Sequence, residues 1–333
     1  MSKENKDISN LIKELQKSNY NVKRGSEIEK DDIIRTDIFA LDYVLGGGIP
    51  VGEGGWRAEF FGPESSCKTT FALLIIAKYQ KLGKTCVFID AENSYDAQWG
   101  EILGIDNKEL VVIKPGSLEE MGDTIINIIP KVDMIVIDSI VSLLPENVIE
   151  RETNQPTMAS SARVNAVICG KIYSAINKYK TSMIFINQMR EKVGVMYGSP
   201  NTTSGGHALK HLYNFRLEFR TGKPIEAGIS ENETVSDEKI EKKEKIGIEI
   251  NLTNKKNKKG KPYLKAVCDF YFTGYIDNKK SVLYAGIKYN IINLSGKTYT
   301  YKNIKAVGKD AFMALVTDDI CKDISADIWK RLK

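Results

Sequence analysis

The residues best suited to chemistry come first as a run, Gly62-Pro63-Glu64-Ser65-Ser66-Cys67-Lys68-Thr69-Thr70. It fits the pattern G-x-x-x-x-G-K-[ST] except that Cys67 replaces the second glycine. A loop of this kind between a strand and a helix holds phosphates on its backbone N–H groups and on the positive helix end. Gly62, Pro63, Glu64, Ser65, Ser66, Cys67, Lys68, Thr69 and Thr70 are therefore the expected nucleotide contacts. Lys68 is expected to reach the β and γ phosphates of ATP, and Thr69 to place its hydroxyl on Mg²⁺. Asp138 closes the apolar run Met134-Ile135-Val136-Ile137-Asp138 and is placed to hold the metal's water shell. A side chain at Cys67 crowds the closest approach of backbone to phosphate, so the loop must absorb it or hydrolysis suffers. Lys68 and the helix N-terminus beside it are expected to lower the thiol pKa. No histidine lies near it in sequence to make a nucleophile. A plain strand-to-helix linker is the bland alternative, and the order of two serines, a lysine and two threonines speaks against it.

Two further polar residues sit just past apolar runs. Glu92 follows Cys86-Val87-Phe88-Ile89-Asp90, where a carboxylate facing the γ phosphate can orient an attacking water. Gln188 follows Met183-Ile184-Phe185-Ile186-Asn187 and opens a long polar stretch. An amide there can sense the γ phosphate and pass its presence to a mobile loop.

These groups need elements to hold them. Short, continuously apolar runs at 58–61, 86–90, 111–113, 134–138 and 183–187 read as strands. Helical patterns separate them over 71–82, 121–129 and a segment bearing Val164, Val167, Ile168, Ile172 and Ile176. The alternation predicts an α/β fold with a mostly parallel central sheet buried on both faces. Ligands in such sheets bind beyond the carboxyl ends of the strands, where Asp90, Glu92, Asp138, Asn187 and Gln188 fall. Before this core, Ile8, Leu11, Ile12 and Leu15 mark an amphipathic helix that must bury its stripe on the core or on another subunit. A loop is expected over 145–156 and another over 198–206. Strands follow at 215–220, 246–252 and 266–272, with a charged connector at 231–245. From about Gly274 a small α+β unit is expected.

Composition narrows the partners. The 333 residues are 42% hydrophobic and 27% charged, which excludes a wholly disordered chain. No apolar run is long enough for a membrane span, and the start does not read as a secretory signal. Five scattered cysteines without a CxxC pair, and only two histidines, argue against structural zinc and for a reducing compartment. The net charge of +5 permits a polyanion without demanding one. Arg163, Arg190, Lys192, Lys210, Arg216 and Arg220 are spread suitably for phosphates, and Met196 or Tyr197 for base contact or for the core.

The chain resembles the RecA family of recombinases, of bacterial or bacteriophage type. The resemblance rests on the phosphate-loop run, Phe88-Ile89-Asp90-Ala91-Glu92, Ile137-Asp138-Ser139, and the long run from Phe185-Ile186-Asn187-Gln188-Met189-Arg190 through Glu191-Lys192-Val193-Gly194. It continues through Pro200, Thr202-Thr203, Gly205-Gly206 and Ala208-Leu209-Lys210, and reaches Ser295-Gly296-Lys297-Thr298-Tyr299-Thr300-Tyr301. It implies a P-loop ATPase core at 36–273, an N-terminal polymerisation helix and linker at 1–35, and a small C-terminal domain at 274–333. By this resemblance Glu92, Lys68 and Gln188 are catalytic, and Asp96 and Trp99 contact adenine, tryptophan standing where the family usually has tyrosine. Lys256 and Lys258, with Pro262 after them, match lysines that reach the ATP of a neighbouring subunit. Residues 146–158 resemble a first DNA-binding loop, with Met158 and Arg163. Residues 189–206 resemble a second, where Arg190, Lys192, Ser204, Gly205, Gly206 and His207 fall at contact positions. Arg216 and Arg220 are implied contacts for a second DNA, and Gly170 replaces a family arginine. The family's acidic tail is not matched by Lys330-Arg331-Leu332-Lys333, which is expected to loosen control over duplex DNA.

The implied activity is ATP-dependent pairing and strand exchange between single-stranded DNA and a homologous duplex, in a helical homo-oligomeric filament. Single-strand-binding and mediator proteins are implied partners, and the cytoplasm (the host's, if phage-encoded) the implied location. Two rivals remain at this point. One is a filament or regulatory protein whose hydrolysis Cys67 impairs. The other is a P-loop ATPase without a recombination role.

Overall fold

The apolar runs become strands buried on both faces, because helices cover the sheet on each side. The computed structural model describes residues 3–18, 22–28, 31–140, 142–149, 158–191, 201–203, 206–228 and 243–332. The chain opens with α1 (Lys3–Lys17), β1 (Asp32–Ile34), α2 (Phe39–Leu45), β2 (Ile49–Val51), β3 (Arg57–Gly62) and α3 (Lys68–Lys81). Next come β4 (Cys86–Asp90), α4 (Ala97–Ile102), β5 (Leu110–Ile113), α5 (Leu118–Ile128), β6 (Met134–Asp138) and α6 (Glu146–Ile149). These are followed by α7 (Met158–Ile176), β7 (Ser182–Glu191), β8 (Asn201–Thr203), α8 (Gly206–Leu212), β9 (Phe215–Gly228) and β10 (Lys243–Asn257). The last part holds β11 (Lys265–Tyr271), β12 (Ile276–Asp277), α9 (Lys279–Lys288), β13 (Asn293–Ser295), β14 (Thr298–Tyr301) and β15 (Ile304–Val307). Two helices, α10 (Lys309–Leu315) and α11 (Asp318–Leu332), close it.

The large sheet runs β12-β11-β10-β9-β3-β7-β6-β4-β5. Strands β9, β3, β7, β6, β4 and β5 are parallel to their neighbours in this series. Beyond β9 the sheet continues antiparallel through β10, β11 and β12. On one face α2 and α3 bury Leu41, Phe71, Ile75 and Ile76. On the other α5 and α7 bury Met121, Ile125, Ile168 and Ile172. The parallel part places the carboxyl ends of β3, β4, β6 and β7 along one edge, which is where the polar residues gather.

Two units emerge from the contacts, Met1–Asp32 and Ile33–Lys333. In the first, α1 leaves Ile8 and Leu11 about half exposed, at 49% and 54%. Arg24 donates from Nη2 to Ser9 Oγ at 2.6 Å and folds the following segment back on this helix. In the second unit, the segment from Gly274 onward is α+β, with a three-stranded sheet β13-β14-β15. Its Val282, Leu283, Phe312, Ile324 and Ile328 belong to the same buried core as α2 and α3, and Trp329 meets the Phe39 ring at 5.3 Å.

Several elements differ from the sequence reading. Strand β9 extends to Gly228 and β10 begins at Lys243, inside the stretch read as a connector. There Lys243 pairs with Gly228 and Gly247 with Ile225 in an antiparallel ribbon. The ribbon is largely exposed, so its ladder needs no apolar alternation to betray it. The predicted loop at 145–156 contains α6, four residues long, and its remainder from 150 lies outside the described residues.

Candidate nucleotide-binding site

Strand β3 enters the phosphate loop at Gly62, and α3 leaves it at Lys68. A Cβ at Gly62 would stand 2.1 Å from the carbonyl oxygen of Phe219, so only glycine fits between β3 and β9 there. Ser65 and Cys67 have left-handed backbones, with φ of 55° and 61°. Left-handed residues interspersed in a loop turn successive N–H groups toward a common concave side, which is an anion-binding nest. Ser66 Oγ donates to Pro63 O at 2.7 Å and braces the loop. The Lys68 ammonium donates to Pro63 O at 2.6 Å and lies 3.4 Å from Ser66 Oγ, folded over the nest. Burial lowers its pKa, and Asp138, Glu92 and Glu64 nearby oppose that shift.

The structure overturns the expected activation of Cys67. Burial pushes its thiol up to about 11, and Lys68 offsets only part of this. The side chain packs against the hydrophobic core. The left-handed backbone gives this residue the turn that the pattern assigns to glycine, and desolvation of a thiolate outweighs the neighbouring ammonium.

Thr69 Oγ1 donates to Asp138 Oδ2 at 2.6 Å. Burial raises the Asp138 carboxyl to about 6, with the Thr69 hydrogen bond and Lys68 holding it lower than burial alone would. A hydroxyl and a carboxylate beside a phosphate nest form the hard oxygen set that Mg²⁺ takes through water. These residues fit ATP with Mg²⁺. Among the described residues no cluster of three His, Cys, Asp or Glu side chains offers a rival metal site.

Glu92 stands on a turn tied to β6, its N–H donating to Asp138 O at 3.2 Å. Ser142 Oγ donates to Glu92 Oε1 at 2.9 Å, and Ser139 Oγ lies 2.6 Å from Ser142 Oγ. Asp90, fully buried, accepts from the N–H groups of Ser94 and Tyr95 at 2.9 and 3.1 Å. It shapes the turn that carries Glu92 and does not face the loop as a free acid. The Ser142 contact was not foreseeable, since nothing in the spacing of Ser139 and Ser142 marks a partner for Glu92.

Gln188 is paired in register with Gly62, so β7 brings this residue beside the entry of the phosphate loop. The same strand continues into a hairpin in which Met189, Arg190 and Glu191 pair with Thr203, Thr202 and Asn201 of β8. Asp96 caps α4, its Oδ1 accepting from the N–H groups of Gln98 and Trp99 at 2.8 and 3.1 Å. The Trp99 ring meets Phe270 edge-on at 6.3 Å, leaving a half-buried indole at that corner.

Lys256 and Lys258 lie elsewhere. Lys256 pairs with Arg216 on β9, which pairs with Glu59 on β3, three residues or roughly 10 Å of strand before Gly62. Lys258 follows at the amino-terminal end of the parallel strands, its N–H donating to Asn214 O at 3.0 Å. The Lys256 ammonium donates to Lys210 O at 2.6 Å. Burial lowers its pKa, and Lys258 and Arg216 lower it further.

The family model described as RecA N-terminal domain matches residues 5–277. The chain belongs to the RecA family of recombinases. Protein RecA of Rickettsia massiliae is 37% identical over 278 residues, covering 82% of this chain and 76% of that protein. Protein RecA of Thermus aquaticus is 36% identical over 305 residues, covering 89% and 84%. The crystal structure of the RadB recombinase, at 19% identity, matches 73% of this chain and 98% of its own with a TM-score of 0.50, which speaks for the fold. Among the described residues no helix is long and apolar enough to cross a membrane.

The RecA-family DNA positions are placed in part. Met158 begins α7, and Arg163 is exposed on it. Arg190 is on β7, while Gly206 and His207 open α8. Lys192, Ser204 and Gly205 lie outside the described residues, as do 150–157 of the first loop. Arg220 is half exposed and pairs with Glu218 at 2.7 Å. Arg216 is mostly buried and paired with the fully buried Glu59. Gly170 is exposed, with no atom near where a Cβ would stand.

Proposed function

We propose that this RecA-family chain pairs homologous DNA and exchanges strands in an ATP-dependent filament on single-stranded DNA, with DNA-stimulated hydrolysis. The observation that carries the proposal is the run of β7. One strand sets Gln188 against the mouth of the phosphate loop and then forms the hairpin that leads into the candidate DNA loop.

In this reading residues 62–70 cradle the triphosphate, and Asp96 and Trp99 hold the base. A magnesium ion would spread charge from the β and γ oxygens, with Thr69 and Asp138 as its protein partners. Lys68 moves from Pro63 O to the phosphates. Glu92, held by Ser142, orients water toward the γ phosphorus. Lys256 and Lys258, too far from their own loop, supply positive charge to the neighbour's site. Gln188 then reports the γ phosphate to the hairpin. Met158, Arg163, Arg190, Lys192, Ser204, Gly205, Gly206, His207 and Arg220 contact DNA. Residues 1–35 act in polymerisation, 36–273 as the ATPase core and 274–333 as a small domain on it.

The test is phosphate release with and without single-stranded DNA, read beside filament formation by electron microscopy. DNA-stimulated release with filaments is expected. Filaments without release would favour the reading in which Cys67 impairs hydrolysis. Release indifferent to DNA, with no filament, would favour an ATPase of another role. Glu92→Gln should cut release by about 100-fold or more while filaments still form with ATP.

A further inference from the structure

Glu59 is fully buried in the strand that leads into the phosphate loop. A buried carboxylate must be partnered. Oε1 accepts from Asn187 Nδ2 at 2.9 Å, and Oε2 accepts from Arg216 Nε. The guanidinium of Arg216 also donates from Nη2 to Thr203 Oγ1 at 3.1 Å and lies over the Phe61 ring at 4.7 Å. The cluster therefore joins elements that the proposed function uses separately. Phe61 precedes the phosphate loop, and Asn187 precedes Gln188. Thr203 belongs to β8, the return strand of the DNA hairpin. Lys256 is the ladder partner of Arg216.

We propose that Arg216 is a positioning residue, not a DNA contact: it ties the phosphate-loop strand to the β7–β8 hairpin, so that nucleotide binding at one end alters how firmly the other holds DNA. The proposal rests on the nucleotide and DNA reading above. Its side chain is only 19% exposed. To reach a DNA phosphate it would have to leave Glu59, stranding a buried anion. The face of Phe61 and the Thr203 hydroxyl fix the plane of the guanidinium, which a lysine would not reproduce.

The experiment measures single-stranded DNA affinity over a salt series, with ADP and with a non-hydrolysable ATP analogue, for the full chain and two variants. In the wild type the analogue tightens DNA binding relative to ADP. Thr203→Val, which exchanges the hydroxyl for a methyl, reduces that analogue-to-ADP ratio at least about fivefold. Arg216→Gln reduces the ratio further and leaves the slope of log affinity against log salt unchanged, because no phosphate contact is lost. A direct DNA contact predicts the reverse. Affinity would fall equally in both nucleotide states, and the slope would shrink by about one unit. That result overturns the proposal, as does a wild-type ratio in Thr203→Val. If Arg216→Gln does not fold, Thr203→Val decides alone. A wild type whose DNA affinity ignores the nucleotide overturns the function reading along with this one. Coupling in the wild type with none lost in Thr203→Val overturns this one only.

Discussion

Cys67 shows how backbone and side chain can serve different masters at one position. Its φ of 61° costs a non-glycine residue about 1 kcal/mol. Its thiol turns to the core, where burial holds it up to about 11. At pH 8 such a thiol is about one part in a thousand thiolate, against a tenth or more for an unfolded cysteine. Iodoacetamide should therefore label Cys67 about 100-fold more slowly in the native chain than in denaturant, as read by peptide mass spectrometry. Fast native labelling would place the sulfur in the loop mouth and restore the case for an impaired ATPase. The loop, Lys68, Thr69, Asp138 and Glu92 were legible in sequence, because strand ends and a glycine-lysine pattern put them together. The burial of Cys67 was not, since the core it packs on includes Cys268 of β11, two hundred positions on in a chain of 333. The partner of Arg216 was hidden for the same reason. The arginine's charge is visible in the sequence, and the Glu59 beneath it is not.

At the scale of elements, the core strands and long helices were readable and short helices were not. All seven residues of α2 are buried, so it has no polar face and no periodic stripe. Helix α4 spans fewer than two turns and announces itself only through its Asp96 cap. Within α2, Asp42 accepts from the Thr36 N–H and Thr36 Oγ1 at 2.9 and 2.8 Å, pinning the preceding segment to the helix. Burial raises its carboxyl to about 7, despite those hydrogen bonds. Its folded pKa lies above its unfolded value, so the native state binds the extra proton between about pH 4 and pH 7. Stability from this group is greatest below that window and is lost as pH rises through it. Asp42→Asn keeps an acceptor for Thr36 and removes the titration. Urea unfolding midpoints should fall less between pH 5 and pH 7 in the variant than in the wild type, both without nucleotide. Parallel curves would mean that Asp42 is ionised throughout and that water reaches it.

At the scale of the whole molecule, the candidate catalytic groups occupy opposite ends of the same parallel strands. Lys68, Thr69, Glu92, Asp138 and Gln188 stand at the carboxyl ends, while Lys256 and Lys258 stand at the amino ends. Within one copy the Lys256 ammonium is turned to Lys210 O, and β9 lies between its strand and β3. On the function proposed above, a complete site forms only where the carboxyl edge of one copy meets the lysines of another, a head-to-tail contact of the kind that propagates into a filament when it does not close into a ring. The consequence can be read from two inactive variants. Lys68→Ala spoils the loop and leaves the lysines. The double change Lys256→Ala with Lys258→Ala leaves the loop and removes the lysines. Each alone should show little DNA-stimulated hydrolysis. Mixed in equal amounts on single-stranded DNA, random neighbours make about one boundary in four complete, so about a quarter of the wild-type rate should return. The rate should fall off as either variant is made the minority, following the product of the two fractions. A mixture as inert as its components would mean that the lysines serve only their own chain. The double lysine variant hydrolysing ATP by itself would mean that the loop needs no neighbour.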